Sequence, residues 1–147
     1  MKKILLLTVL IVLTAVLNAY TQNHNEDAAI ESASMDYVEG WYQADAERMA
    51  KSLHPDLVKR AVRKLSKSGR PVLADISKTT LVEYTASGGG KDTPKDKLFY
   101  EVTILDVYKN MATVKAVSAN YVDYLHLTKW DGRWLIVNIL WDDRKES

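Results

Sequence analysis

The stretch VDYLHLTKW (122–130), followed by Asp131-Gly132 and RWLIVNILWD (133–142), decides how this chain is read. An Asp-Gly pair between two apolar-rich runs is a strong hairpin signal, because both residues tolerate the positive φ of a tight turn. With a two-residue loop, Leu127 opposes Ile136, Leu125 opposes Asn138, Asp123 opposes Leu140 and Lys129 opposes Trp134. Those side chains share one face of the sheet. The other face carries Tyr124 with Ile139, His126 with Val137, and Val122 with Trp141. Both faces are largely apolar, so helices are expected over one, and a second subunit or another part of the sheet over the other.

Working back from the hairpin, Leu98–Tyr108 and Met111–Ala119 read as two further strands joined at Lys109-Asn110. Before them, Ile76–Ser87 reads as a helix with Ser77 as its N-cap and Leu81, Val82 and Tyr84 as apolar contacts. Gly88-Gly89-Gly90 ends it. A phosphate-binding loop needs a strand before the glycines and a helix opening after them. Here the order is reversed, and the triple glycine reads as a plain loop.

Nearer the start, Ile30, Ser34, Tyr37, Val38, Trp41 and Tyr42 recur at three- and four-residue spacing, one face of a helix. Gly40 lies inside that helix, where close packing is the expected use. Asp45 reads as the N-cap of a second helix, Ala46–Leu53, and Pro55 blocks its continuation. Leu57–Leu65 alternates in a way that fits a strand or a frayed helix. Its four basic residues suggest a solvated edge strand guarded by Lys and Arg; an anionic-ligand rim is the minor alternative. Ser68-Gly69-Arg70-Pro71 is a turn. Helices first and then an antiparallel meander make an α+β domain.

The 147 residues are a one-domain length, and 47% of them are apolar, enough for a core. The formal charge is +1. Residues 1–19 hold two Lys and no acid, and removing them leaves 18 basic and 19 acidic side chains. That balance argues against nucleic acid held by phosphate neutralisation. No Cys is present, which excludes disulfides, thiolate catalysis and Cys-based zinc sites. Lys2-Lys3 followed by the apolar run Ile4–Leu17 reads as a secretory signal peptide over residues 1–22, cut between about 19 and 22. The run is too short for the roughly 20 residues of a spanning helix, although an uncleaved anchor is the alternative. The expected product is a single domain over 23–147, exported to the periplasm or secreted, with no membrane contact after cleavage.

Two segments together carry a family resemblance. One is Tyr37-Val38-Glu39-Gly40-Trp41-Tyr42 with Asp45 and Leu53-His54-Pro55. The other is Asp123-Tyr124-Leu125-His126-Leu127 with Asp131-Gly132-Arg133-Trp134-Leu135-Ile136-Val137-Asn138. The chain resembles the nuclear-transport-factor-2-like (NTF2-like) superfamily over nearly all of residues 26–143, and most closely its branch labelled "putative lumazine-binding". The resemblance implies a SnoaL-like, cystatin-like α+β cone: about three N-terminal helices packed on a bent antiparallel sheet around an apolar cavity. It also implies a homodimer through the convex sheet face. The superfamily includes isomerases, dehydratases, cyclases, transport adaptors and binding domains, so the fold does not name a reaction.

Candidate residues are few. Asp123 and Asn138 are diagonal neighbours on the predicted face, among leucines and isoleucines. An unpaired carboxylate there is pushed toward neutral pH; the structural alternative is an Asp123 that accepts hydrogen bonds from Asn138, a Tyr or backbone. His54, before Pro55, is the other candidate acid or base. His126 falls on the opposite face and His24 in the polar start. Three scattered His make no metal signature, and no cofactor is expected. Trp41, Tyr42, Asp123, Tyr124, Asn138 and Trp141 are the ligand-binding candidates, drawn from both hairpin faces because the sequence does not say which is concave. Binding of a small apolar or aromatic molecule ranks first. A homodimeric interaction module ranks second, and an isomerase- or dehydratase-type enzyme using Asp123 third.

Overall fold

Asp131 and Gly132 both take positive φ, at 47° and 76°. The tight turn they form sets Trp130 opposite Arg133, Lys129 opposite Trp134 and Leu127 opposite Ile136. One residue further on the pairing changes. A β-bulge at Val137 puts His126 opposite Asn138, Leu125 opposite Ile139, Tyr124 opposite Leu140 and Asp123 opposite Trp141. The simple register therefore fails beyond Ile136. Asn138 and Leu140 leave the face that carries Asp123, and Ile139 and Trp141 join it.

The computed structural model describes residues 25–145. The expected signal peptide, residues 1–22, lies outside the described residues, as does His24. Helix α1 covers residues 25–43, α2 Ala46–Ser52 and α3 Lys78–Ala86. The strands are β1 Leu53–Lys64, β2 Pro71–Ser77, β3 Tyr100–Tyr108, β4 Met111–Ser118, β5 Tyr121–Trp130 and β6 Arg133–Asp143. They form one sheet in the order β2-β1-β6-β5-β4-β3. Neighbours are antiparallel except β1 and β6, which run parallel. The three helices pack on this mixed sheet.

Burial explains the arrangement. Ile30, Ala33, Ser34, Tyr37, Val38 and Tyr42 form the buried stripe of α1. They meet the inner side chains of the meander, among them Val114, Ala116, Leu125, Leu127, Ile136 and Ile139. Gly40 lets α2 approach: a Cβ there would lie 3.0 Å from the backbone nitrogen of Met49. Asp45 caps α2 by accepting from the Arg48 N–H at 2.9 Å. Arg48 in turn binds Asp36 at 2.7 Å and also pairs with Glu39, tying α2 back to α1.

Two expectations need correction. The segment from Leu57 is a strand, but not an edge strand: β2 covers its outer side and β6 its inner one. Leu57 and Ala61 are buried, as an interior strand requires. The true edge, β2, did not emerge from the sequence because its side chains are almost all exposed and carry no alternation. It takes Ile76 from the expected third helix, which starts one residue after its N-cap, Ser77. Among the described residues no helix is long and apolar enough to cross a membrane.

Candidate functional site

The inner face of β1 presents Leu57, Lys59, Ala61 and Arg63 in alternation. Lys59 therefore points inward, among apolar neighbours. It is 6% exposed, Asp123 on β5 is 3% exposed and Tyr37 on α1 is 4% exposed. The three meet. Lys59 Nζ donates to Asp123 Oδ1 at 2.8 Å and to the Tyr37 hydroxyl at 2.5 Å. The Tyr37 hydroxyl donates to the same Asp123 oxygen at 2.9 Å. Both accepted bonds fall on Oδ1. The ammonium also lies 4.6 Å from the centroid of the Trp141 ring and 5.2 Å from that of Tyr37, distances at which a ring face attracts a cation.

This cluster borders a cavity of about 180 Å³ between α1, α3 and the sheet. Aromatic walls enclose it: Trp41 and Tyr42 from α1, Tyr121 from β5 and Trp141 from β6. Tyr121 meets both tryptophan rings edge-on. Tyr42 donates to Ser118 Oγ at 3.0 Å and accepts from the Asn120 N–H at 3.2 Å, which fixes its ring. The indole N–H groups of Trp41 and Trp141 are buried and have no hydrogen-bond partner. An unmade bond to a buried donor costs about 1–3 kcal/mol.

Electrostatics follow from burial. Desolvation pushes the Lys59 ammonium below its ordinary value, and Asp123 opposes that shift. The Tyr37 phenol is pushed well above its usual 10.0, first by burial and then by the adjacent carboxylate. Tyr121 is raised in the same way, by burial and by its neighbouring tyrosine and acids.

The triple glycine has a packing role here. The Gly90 N–H donates to the Trp41 carbonyl at 3.0 Å. A Cβ on Gly89 would overlap that carbonyl oxygen, and one on Gly90 would lie 2.7 Å from Trp41 Nε1. Only bare backbone comes this close to Trp41, so the loop holds one wall of the cavity.

Of the six ligand-binding candidates, Trp41, Tyr42, Asp123 and Trp141 line this cavity. Tyr124 and Asn138 do not. Tyr124 is 43% exposed on the outer sheet face, and Asn138 lies across from His126, at 3.2 Å, and accepts from Arg60. The bulge at Val137 accounts for Asn138, and strand alternation from Asp123 for Tyr124. The acceptor role read for Asp123 is met by a Tyr, Tyr37, and by Lys59, not by Asn138. His54 is buried away from the cavity, its Nδ1 accepting from the Asp56 N–H at 3.1 Å and its ring edge-on to Trp130. Among the described residues no three His, Cys, Asp or Glu gather to hold a metal ion. The sequence reading missed Lys59, Tyr37 and Tyr121 as site residues. The usable signal for Lys59 was its phase, between Leu57 and Ala61 on the apolar side of the alternation.

Three helices packed on one six-stranded mixed sheet make an NTF2-like fold. The chain belongs to the family described as "Putative lumazine-binding", which matches residues 25–142. No curated protein matches it. Among solved structures, it is similar to an NTF2-like protein of unknown function from Shewanella baltica OS155, with 17% identity and a TM-score of 0.66, over 83% of this chain and 96% of that one. A second, from Silicibacter pomeroyi DSS-3, gives 15% identity and 0.65 over 83% and 98%. A ketosteroid isomerase-like protein from Erwinia carotovora atroseptica SCRI1043 gives 19% and 0.56 over 81% and 96%. At these identities the likeness is one of fold.

Proposed function

We propose that this chain binds a small, flat, largely apolar molecule in the cavity between α1 and the sheet. The observation that carries the reading is a cavity of about 180 Å³ walled by Trp41, Tyr42, Tyr121 and Trp141 and bordered by the Lys59–Asp123–Tyr37 cluster. An apolar ring suits the aromatic walls, and a single acceptor atom suits the Lys59 ammonium at the border. The volume bounds its size: a cavity of roughly 150 Å³ holds benzene, so about 180 Å³ takes one ring or a compact pair. The family description and the apolar N-terminal run support an exported binding domain. An acid–base enzyme ranks behind binding because Asp123 Oδ1 already serves Lys59 and Tyr37.

The test is native mass spectrometry of the chain purified from its own source, then denaturation and identification of any released molecule. Indole, benzyl alcohol and lumazine serve as added probes, read by tryptophan fluorescence. A stoichiometric small molecule, or saturable quenching that is lost in Trp141→Leu, supports the reading. An empty protein with no response to any probe removes it.

The outer sheet face favours a second reading, in which the domain also pairs with another copy. Val62, Leu73, Tyr124 and Leu140 are exposed there, and large exposed apolar patches mark interaction surfaces. Light scattering tests it: a dimer that Leu140→Lys with Tyr124→Glu converts to monomer supports self-association, and a parent chain that is monomeric at all concentrations overturns it.

A further inference from the structure

Lys59 has more potential chemistry than a structural ion pair uses. An ammonium group offers three donors. Asp123 and Tyr37 take two of them. The third is left for the cavity, which Lys59 lines. A lysine becomes a nucleophile when its surroundings are apolar and a neighbour can take its proton. Both conditions hold here, with aromatic walls on several sides and a carboxylate at 2.8 Å.

Resting on the binding reading above, we propose that the cavity takes a small aldehyde or ketone carrying a flat apolar group and holds it covalently, as an imine on Lys59 Nζ. The ammonium first passes one proton to Asp123, giving a free amine and a carboxylic acid. The nitrogen lone pair then adds to the carbonyl carbon. The π pair of the C=O bond moves to oxygen, that oxygen gains a proton and the nitrogen loses one, leaving a carbinolamine. Asp123 returns its proton to the carbinolamine hydroxyl, which departs as water while the C=N bond forms. Net, one ammonium and one carbonyl give one protonated imine and one water, with no oxidant or reductant consumed. The Tyr37 hydroxyl bridges the nitrogen and the carboxylate and is placed to relay these protons.

The product suits the site. A protonated imine keeps the positive charge that Asp123 and the Trp141 ring face already balance, so capture leaves no buried charge uncompensated. The desolvation that depresses the Lys59 ammonium also raises its neutral fraction relative to surface lysines.

The experiment exposes the full chain to benzaldehyde with sodium cyanoborohydride, which fixes an imine as a benzyl amine, and maps the label by peptide mass spectrometry. The expected result is one benzyl group at Lys59, arriving faster than at any exposed lysine. Lys59→Arg, which keeps the cation and loses the nucleophile, abolishes the fast label. Labelling of Lys59 at or below the surface rate overturns the proposal. Benzyl alcohol, the same ring without the carbonyl, separates the two readings through tryptophan fluorescence. If it binds while Lys59 escapes labelling, the cavity reading stands and the carbonyl class falls. If neither benzyl alcohol nor indole nor lumazine binds and Lys59 is not labelled, both fall.

Discussion

Lys59 and Asp123, 64 residues apart in sequence, meet at 2.8 Å across β6, beside the ring of Trp141. Removing one partner leaves a buried charge alone, and breaking such a pair costs about 3–5 kcal/mol. Replacing both with apolar residues of similar volume removes the desolvation penalty with the attraction. Lys59→Met and Asp123→Leu alone are therefore expected to lower stability by several kcal/mol. The double variant is expected to recover to within about 2 kcal/mol of the parent. Urea unfolding of the four chains checks this, and simple additivity would show that the two residues do not form an energetic unit.

Tyr37 titrates well above 10.0 in the folded chain. Above that value the unfolded state loses a proton that the folded state keeps, so stability falls as pH rises. Lys59 acts oppositely: its folded value lies below 10.5, so its contribution grows as pH climbs toward 10.5. The expected curve rises into the alkaline range and then turns down above pH 10. Tyr37→Phe should weaken that downturn, leaving the share that Tyr121 contributes. In the parent, absorbance titration should show one tyrosine that ionises only with unfolding.

Gly90→Ala places a Cβ 2.7 Å from Trp41 Nε1 and 2.8 Å from the Tyr42 ring. Overpacking of this kind costs about 1–3 kcal/mol, and tryptophan emission should shift. Gly69, which unlike Gly90 takes a positive φ, has nothing within 4 Å of a built Cβ. Gly69→Ala should cost only the backbone strain, about 1–2 kcal/mol, with emission unchanged. Equal spectra for the two variants would contradict the clamp on Trp41.

Glu26 accepts from Lys129 at 2.5 Å and from Trp134 Nε1 at 2.7 Å, joining α1 to the last hairpin. The lysine bond first, then the indole bond, hold its carboxyl below the usual 4.5. The stability this contributes is fully present above pH 4.5 and lost as pH falls through the lower folded value. Glu26→Gln should flatten the urea midpoint between pH 5 and pH 3, where the parent declines.

The turn at Asp131-Gly132 was legible because two adjacent positions both need positive φ, and their residue types say so. The helix caps at Asp45 and Ser77 were legible for a similar local reason. The bulge was not. Val137 lies in the run Leu135-Ile136-Val137, all apolar, so no change of polarity marks the extra residue. That single position decided which face Asn138 and Trp141 occupy. Lys59 was missed for a different cause: a lysine reads as solvated until its counter-charge is known, and that counter-charge arrives from another strand. Trp41, Tyr42, Asp123 and Trp141 could be picked out as large or polar groups in apolar company, but not as neighbours.

β6 is the last of the six strands in sequence and third in sheet order. Until it docks, β1 and β2 form one ribbon and β3, β4 and β5 another, with no strand pairing between them. Each ribbon then has an open edge facing the gap. Closing that gap joins segments far apart in the chain, the kind of contact that slows folding and leaves edges exposed to other chains meanwhile. A chain ending near Gly132 would lack both the strand that joins the two ribbons and the Trp141 wall of the cavity. Residues 133–143 thus close the sheet and supply one wall of the cavity at once.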